Sequence, residues 1–302
     1  MSAVDARLPA GGRYLEAEAD RFRTDFDVRC FAFRHALAGD PRFEPDRLLA
    51  LAQELAGDPR DVYYDAGDVE IGQRWDQIPP CDLTIAQLLH RIETANAWIV
   101  LRKVDKSPAY AALLDACISE IEEELGRSLH DVMKVSNALV FISSPNRITT
   151  YHIDRECSCL LQLRGHKTIS IFDRNDRDVL PEEEIERFWT VDNNSATYRP
   201  ELQSRASVFA LAPGSAVHIP VNAPHWVQNG SDVSISLNIN FHYKDRALAD
   251  VYRTNYWLRR IGLKPTPPRR SALLDGLKST AYGSTRGLRS VARLVRRKTS
   301  AP

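Results

Sequence analysis

Short β-rich segments, separated by turn-forming residues, run from about residue 132 to 243 and constrain the fold more than any other feature. β-branched and aromatic residues dominate each segment, and Gly, Pro or Asn stands between them. Many short strands in succession are typical of a sandwich or barrel. One helix, at 181–189, is predicted inside this region, because three Glu follow Pro181 and acids complement the N-terminal helix dipole.

Mixed structure flanks this region. Strands are predicted near 28–37 and at 98–104, helices at 41–58, 82–98 and 107–125, and further helix after Lys244. Asp82 is the predicted N-cap of the 82–98 helix. The predicted organisation is an N-terminal extension (1–130), a β core (131–245) and a C-terminal helical segment with a basic tail (246–302).

Composition excludes several classes of protein. The chain has 302 residues, 43% of them hydrophobic and 26% charged, which is typical of a globular protein with a sizeable core. Five Cys without a CxxC pair favour neither a disulfide framework nor a zinc knuckle. No run of about 18 apolar residues and no signal-peptide pattern is present, so we expect a cytoplasmic protein.

A candidate metal site begins with His152 and Asp154, the only H-x-D or H-x-E pattern among the eight His. Residues i and i+2 of a strand share a face, so this imidazole and this carboxylate can reach one point. His225, just after a predicted strand, is the best third ligand. Two His and one carboxylate on one side of a metal leave open positions, as non-haem Fe(II) oxygenases require.

Three further residues are candidates for binding a co-substrate. Lys167 starts the return strand of a predicted hairpin and could pair with the far carboxylate of a dicarboxylate. Thr149 could donate a hydrogen bond to the same carboxylate. Asn240 shares one strand face with Asn238 and His242, which we expect to point inward. Each residue also has a reading without a functional role. Lys167 would then be a solvated lysine beside a turn, Thr149 a threonine that favours β structure, and Asn240 a residue on the solvent face.

Taken together, two stretches resemble the JmjC/cupin-8 family of Fe(II)/2-oxoglutarate-dependent dioxygenases, and they are most similar to its asparaginyl hydroxylases and bacterial cupin-like proteins. The stretches are TTYHIDRECSCLLQLRGHKTISIFD and LAPGSAVHIPVNAPHWVQNGSDVSISLNINF, within residues 130–245. The resemblance implies a double-stranded β-helix, or jelly-roll, core. It also implies Fe(II) held by His152, Asp154 and His225, 2-oxoglutarate held by Thr149 and Lys167 with Asn240 nearby, and hydroxylation or hydroxylation-driven demethylation of a substrate.

The chain departs from the family pattern at three places. Cys157-Ser158-Cys159 replaces the usual Asn or Phe, so one co-substrate contact passes to Ser158 or is lost, and we read the two Cys as packing residues. Ser215 replaces the turn Asp. Val221–Pro224 replaces a Trp-rich stretch at the mouth, which predicts a different substrate.

Other readings stay open. The chain could be a non-catalytic cupin that binds a ligand or regulates transcription, or a cupin with another metal and no 2-oxoglutarate. The substrate could be a protein, a nucleic acid or a small molecule. From Arg269 onward there are nine Lys and Arg against one Asp. Candidate partners are therefore a nucleic acid or an anionic membrane at the basic tail, 286–298, besides a second copy of the chain.

Overall fold

The computed structural model describes residues 12–16, 20–78 and 81–299, and all side chains within these ranges except those of 135–136 and 286–299. Its strands are β1 (Leu15–Glu16), β2 (Phe31–His35), β3 (Val62–Ala66), β4 (Ala97–Arg102), β5 (Met133–Ser143), β6 (Ile148–His152), β7 (Cys157–Arg164), β8 (Lys167–Ile171), β9 (Ser207–Leu211), β10 (Ser215–Ile219), β11 (His225–Asn229) and β12 (Ser234–Tyr243). Its α-helices are α1 (Arg21–Asp25), α2 (Pro45–Leu55), α3 (Ile85–His90), α4 (Pro108–Leu125), α5 (Glu182–Thr190), α6 (Ala247–Arg260) and α7 (Ala272–Thr299).

The strands form two antiparallel sheets. The large sheet has the order β1-β2-β10-β7-β12-β5-β4-β3, and the small sheet has the order β6-β11-β8-β9. From β5 to β12 the chain passes between the two sheets so that four strands of each face one another. This arrangement is the predicted double-stranded β-helix, and it confirms the fold class. The N-terminal strands extend the large sheet beyond the barrel on both sides.

Both faces of β7 are covered, which explains why almost the whole strand is buried. Its odd-numbered residues, including Cys157 and Cys159, pack into the large cluster that the N-terminal helices share with the outer face of the sheet. Leu160, on the other face, packs between the sheets with Ile169 and Ile171 of β8. The expectation that the two Cys are packing residues is confirmed, and all five Cys are free thiols.

The predicted helix at 82–98 is wrong at both ends. Helix α3 covers only Ile85–His90, and its N-cap is Thr84, whose side chain forms a capping box with Gln87, so Asp82 is not the cap. Asn96 has a positive φ of 46° and ends the turn that follows the helix. The apolar residues after it form β4, because their β-branched and aromatic side chains suit a strand between β3 and β5.

The C-terminal segment consists of α6 and α7. Helix α6 packs on α5 and on α7. The basic tail, 286–298, is the predicted contact for a nucleic acid or an anionic membrane. The side chains of these residues lie outside the part of the chain that the structure describes. Among the described helices none is long and apolar enough to cross a membrane.

Candidate metal centre

His152 and His225 are brought together by pairing of the small sheet. His152 ends β6, His225 begins β11, and the two are direct register partners. In β11 His225, Val227 and Asn229 are buried, while the residues between them are half-exposed. Because Val227 belongs to the cluster between the sheets, this face points into the barrel. The two imidazole rings accordingly lie 4.2 Å apart, centroid to centroid.

The main chain fixes the orientation of each imidazole. Nδ1–H of His152 donates to the carbonyl oxygen of Thr150 at 2.6 Å, and Nδ1–H of His225 donates to that of Ala223 at 2.9 Å. With Nδ1 protonated, Nε2 keeps its lone pair. Such contacts are how proteins usually set the tautomer of a metal-binding His.

Asp154 completes a group of three donors. Its Oδ2 lies 3.7 Å from Nε2 of His152 and 3.7 Å from Nε2 of His225. The three ligand atoms all lie within 4.8 Å of one another. One divalent ion with ligand bonds of about 2.1 Å can bridge such gaps. The residues therefore fit a metal held by two imidazoles and one carboxylate.

Burial keeps His225 neutral. Its side chain is 6% exposed, and burial, followed by repulsion from His152, lowers the pKa of His225 to about 3. Neutral imidazole is the form that binds a metal.

Lys167 faces the same interior from the far end of the small sheet. It is the register partner of Asn229 on one side and of Leu211 on the other, both of which are buried. No hydrogen bond or ion pair within the described part of the chain reaches its ammonium group. Burial lowers the pKa of Lys167 to about 7. A buried ammonium without a counter-ion is costly, and an anionic ligand would remove that cost.

A β-bulge places Thr149 on the inward face. Thr149 and His152 are three residues apart, so a regular strand would point them to opposite faces. In the structure Thr149 pairs with Val227, and His152 pairs with His225. Three residue steps of β6 therefore lie opposite two steps of β11, so β6 contains one extra residue. Direct partners share a face, which puts Thr149 beside the inward-pointing Val227.

Asn240 stands in a row of three amides on the large sheet, as strand parity predicts for Asn238 and Asn240. Asn238 Nδ2 donates to Asn240 Oδ1 at 2.7 Å, and Asn240 Nδ2 donates to Asn137 Oδ1 at 2.9 Å. Asn238 is buried, and its Oδ1 has no hydrogen-bond partner. Ser158 is the β7 partner of Asn240 and is also buried. The row thus ends in an open hydrogen-bonding position inside the barrel.

Sequence reasoning missed two contributors to this region. Asn137 of β5 was overlooked because register alone places it opposite Asn240. Asn222 lies in the stretch assigned to the mouth, but its positive φ of 60° and its contacts with distant residues leave no local pattern. An Asn in a short Pro-containing turn is the only sequence signal, since Asn tolerates that conformation.

Fold and site together define a double-stranded β-helix with a two-histidine, one-carboxylate group inside it. The structure of YcfD, a ribosomal oxygenase from Escherichia coli, matches with a TM-score of 0.50 and 16% identity, over 86% of this chain and 62% of that chain. An X-ray structure of E. coli ycfD matches with a TM-score of 0.50 and 15% identity, over 86% of this chain and 64% of that chain. The same oxygenase in complex with cobalt and 2-oxoglutarate matches with a TM-score of 0.48 and 15% identity, over 86% of this chain and 63% of that chain.

The two likenesses with a TM-score of 0.50 show a shared fold. The chain covers less than two thirds of the length of the YcfD chains in these three matches. No family model and no curated protein matches the chain.

Proposed function

We propose that the protein is an Fe(II)/2-oxoglutarate-dependent oxygenase of the JmjC/cupin type. The observation that carries the proposal is the pairing of two features on one inward face. The His152–Asp154–His225 group lies at one end of the small sheet. Lys167 lies at the other end, and no residue that the structure describes pairs with its ammonium group. All these residues come from the predicted core, 131–245, which we propose as the catalytic unit.

The donor set is one that suits Fe(II). Two imidazoles and one carboxylate with open positions are the ligands of non-haem Fe(II) oxygenases, whereas structural zinc sites are closed by four protein ligands. No thiol belongs to the group, which argues against soft metals.

The distance between the two features suits 2-oxoglutarate. His225 and Lys167 lie on paired strands, and four residues of β11 separate the levels of their backbones, a rise of about 13 Å. A Lys side chain directed along the strand toward the metal group would span about half of that rise. The remaining length accommodates a five-carbon dicarboxylate whose far carboxylate meets the Lys167 ammonium. Thr149 would add a hydroxyl donor, and the amide row at Asn238 and Asn240 would face the ligand from the large sheet.

When Fe(II), 2-oxoglutarate and O2 are bound, the centre supplies the oxidising power for hydroxylation of a substrate C–H bond, with release of CO2 and succinate. The chain contributes orientation and an apolar wall beside the site. His152 and His225 present fixed Nε2 atoms, Lys167 and Thr149 hold the distal carboxylate, and the apolar cluster between the sheets excludes water. Hydroxylation of an N-methyl carbon would give a hemiaminal whose C–N bond breaks with release of formaldehyde, so the same chemistry would demethylate a substrate.

Succinate formation without added substrate tests the proposal. Purified protein with Fe(II), ascorbate and 2-oxoglutarate should release succinate slowly, and Asp154→Ala should abolish that release, because two imidazoles alone do not hold the ion in the same way. Asp232→Ala is the matched control, since Asp232 is exposed and pairs with His166. If Asp154→Ala releases succinate at the wild-type rate, the ligand assignment fails.

A further inference from the structure

Asp154 is the one member of the metal group that does not lie on a strand. It stands in the connection between β6 and β7, and its side chain is 47% exposed. Within the described part of the chain, the two imidazoles are the only recorded partners of its carboxylate. The position of this ligand therefore depends on whatever holds the backbone of the connection.

One anchor of that connection is Asn222. The backbone N–H of Asn222 donates to the carbonyl oxygen of Asp154 at 3.0 Å. Asn222 is buried and left-handed, with a φ of 60°, and its side-chain Oδ1 accepts a hydrogen bond from the indole Nε1–H of Trp189 at 3.0 Å. Trp189 thus fixes Asn222, and Asn222 fixes the main chain of the ligand.

Arg155 is the second anchor. Its Nη2 donates to the carbonyl oxygen of Phe188 at 2.7 Å and to Oδ1 of Asn193 at 2.7 Å. Its guanidinium carbon lies 5.0 Å from the ring centre of Phe188 and 5.5 Å from that of Trp189. Such cation–π contacts are stronger when partly desolvated, as here.

Asn222 and Arg155 both contact the last turn of α5. Helix α6 also forms hydrogen bonds to α5. Nε of Arg253 donates to the carbonyl oxygen of Trp189 at 2.9 Å, and Nε of Arg259 donates to the buried Glu186 at 2.6 Å. A continuous set of contacts therefore joins α6 to the backbone of Asp154.

We propose that Trp189 is a positioning residue of the metal centre, acting through Asn222 and Arg155 on the connection that carries Asp154. This inference rests on the metal site of the proposed function. Trp189 itself touches neither of the imidazoles. Residues that orient metal ligands in this way commonly change metal affinity by about 10–100-fold when they are replaced.

Cobalt(II) titration tests the role without turnover, with the affinity and the visible d–d spectrum as readouts. Trp189→Phe keeps an aromatic ring but deletes the Nε1–H donor, and it should weaken Co(II) binding about tenfold. Asn222→Gly should act in the same direction, because it deletes the acceptor while Gly tolerates the positive φ. The matched control is Trp257→Phe on the exposed face of α6, which should leave Co(II) binding unchanged.

A double-mutant cycle separates positioning from general destabilisation. In an Asp154→Ala background Trp189→Phe should have no further effect on Co(II) affinity, because the ligand that it positions is gone. Wild-type affinity in both Trp189→Phe and Asn222→Gly would overturn the proposal, and so would an equal loss with and without Asp154. A wild-type protein that does not bind Co(II) at all would refute the metal site, which is a different result from an unaffected Trp189→Phe variant.

Discussion

Two halves of the metal group are built in different ways. His152 and His225 lie on paired strands, and each imidazole ring is oriented by the carbonyl group of the residue two positions earlier in the sequence. Asp154 lies in a connection, and its backbone is held by Asn222 and by groups more than thirty residues away in sequence. The two strand-borne imidazoles are positioned by local contacts, whereas the carboxylate of Asp154 depends on the packing of α5.

This difference predicts two patterns of mutational sensitivity. Substitutions on the strands should have independent effects, because each one removes only the single contact that its side chain makes. Groups around Asp154 should act as a unit, because Trp189, Asn222 and Arg155 converge on one short connection.

Among the strand-borne groups the largest effect is expected for Lys167→Ala. Loss of a charge-assisted contact worth about 1.5–3 kcal/mol should raise the 2-oxoglutarate requirement at least tenfold. Co(II) affinity should stay the same, since Lys167 lies at the far end of the strand. The steady-state KM for 2-oxoglutarate measures the effect, with the exposed Lys264→Ala as control. An unchanged requirement would mean that Lys167 does not bind the co-substrate.

The same residue predicts a pH dependence of binding. Burial lowers the pKa of Lys167 from 10.5 to about 7 in the folded protein, and a bound carboxylate would raise it again. Above pH 7 binding of 2-oxoglutarate should therefore take up a proton, and well below pH 7 it should not. Calorimetry in buffers of different ionisation enthalpy measures this uptake, which Lys167→Ala should remove.

Folding stability should respond to Lys167 in a related way. Between about pH 7 and 10.5 the unfolded chain binds the proton more readily than the folded one, so this residue makes the free energy of unfolding rise with pH in that range. Below pH 7 its destabilising effect is present in full, and above 10.5 it is absent.

A smaller effect is expected for Thr149→Val. A hydrogen bond to a charged carboxylate contributes about 1.5–3 kcal/mol, and because this carboxylate is also paired with Lys167 we expect the lower end of that range, a rise of about tenfold in KM for 2-oxoglutarate. Thr168→Val is the matched control, because Thr168 pairs with Gln228 on the other face of the small sheet. Equal effects of the two substitutions would show that the bulge in β6 does not direct Thr149 toward the ligand.

Much of this arrangement follows from the sequence. Features that depend on local patterns could be predicted, and features that depend on how distant strands align could not. Alternation along a strand puts Asn238 and Asn240 on one face, because period-two patterns are local. The same rule was used to bring His152 and Asp154 together, but β6 ends at His152 and Asp154 lies in the connection that follows. Thr149 was predicted from its chemistry, but its direction requires the bulge in β6, which appears only when β6 and β11 are aligned. Similarly, the strand predicted at 98–104 is confirmed as β4, but the helix predicted at 82–98 is too long, because the local pattern does not mark the turn that ends at Asn96.

The support of Asp154 lies beyond local reasoning altogether. Trp189 reads as an ordinary apolar residue of a short helix, and its indole N–H contact to Asn222 spans 33 residues. Nothing in either neighbourhood marks the pair, since their meeting depends on how α5 packs over the barrel.

Anaerobic titration of the wild-type protein with Fe(II) and 2-oxoglutarate tests the central claim most directly. Chelation of Fe(II) by 2-oxoglutarate in a two-histidine, one-carboxylate site should produce a visible metal-to-ligand charge-transfer band. The band should saturate at one Fe(II) and one 2-oxoglutarate per chain and be absent when 2-oxoglutarate is omitted. If both are present in excess and no band forms, the proposed site and co-substrate are contradicted.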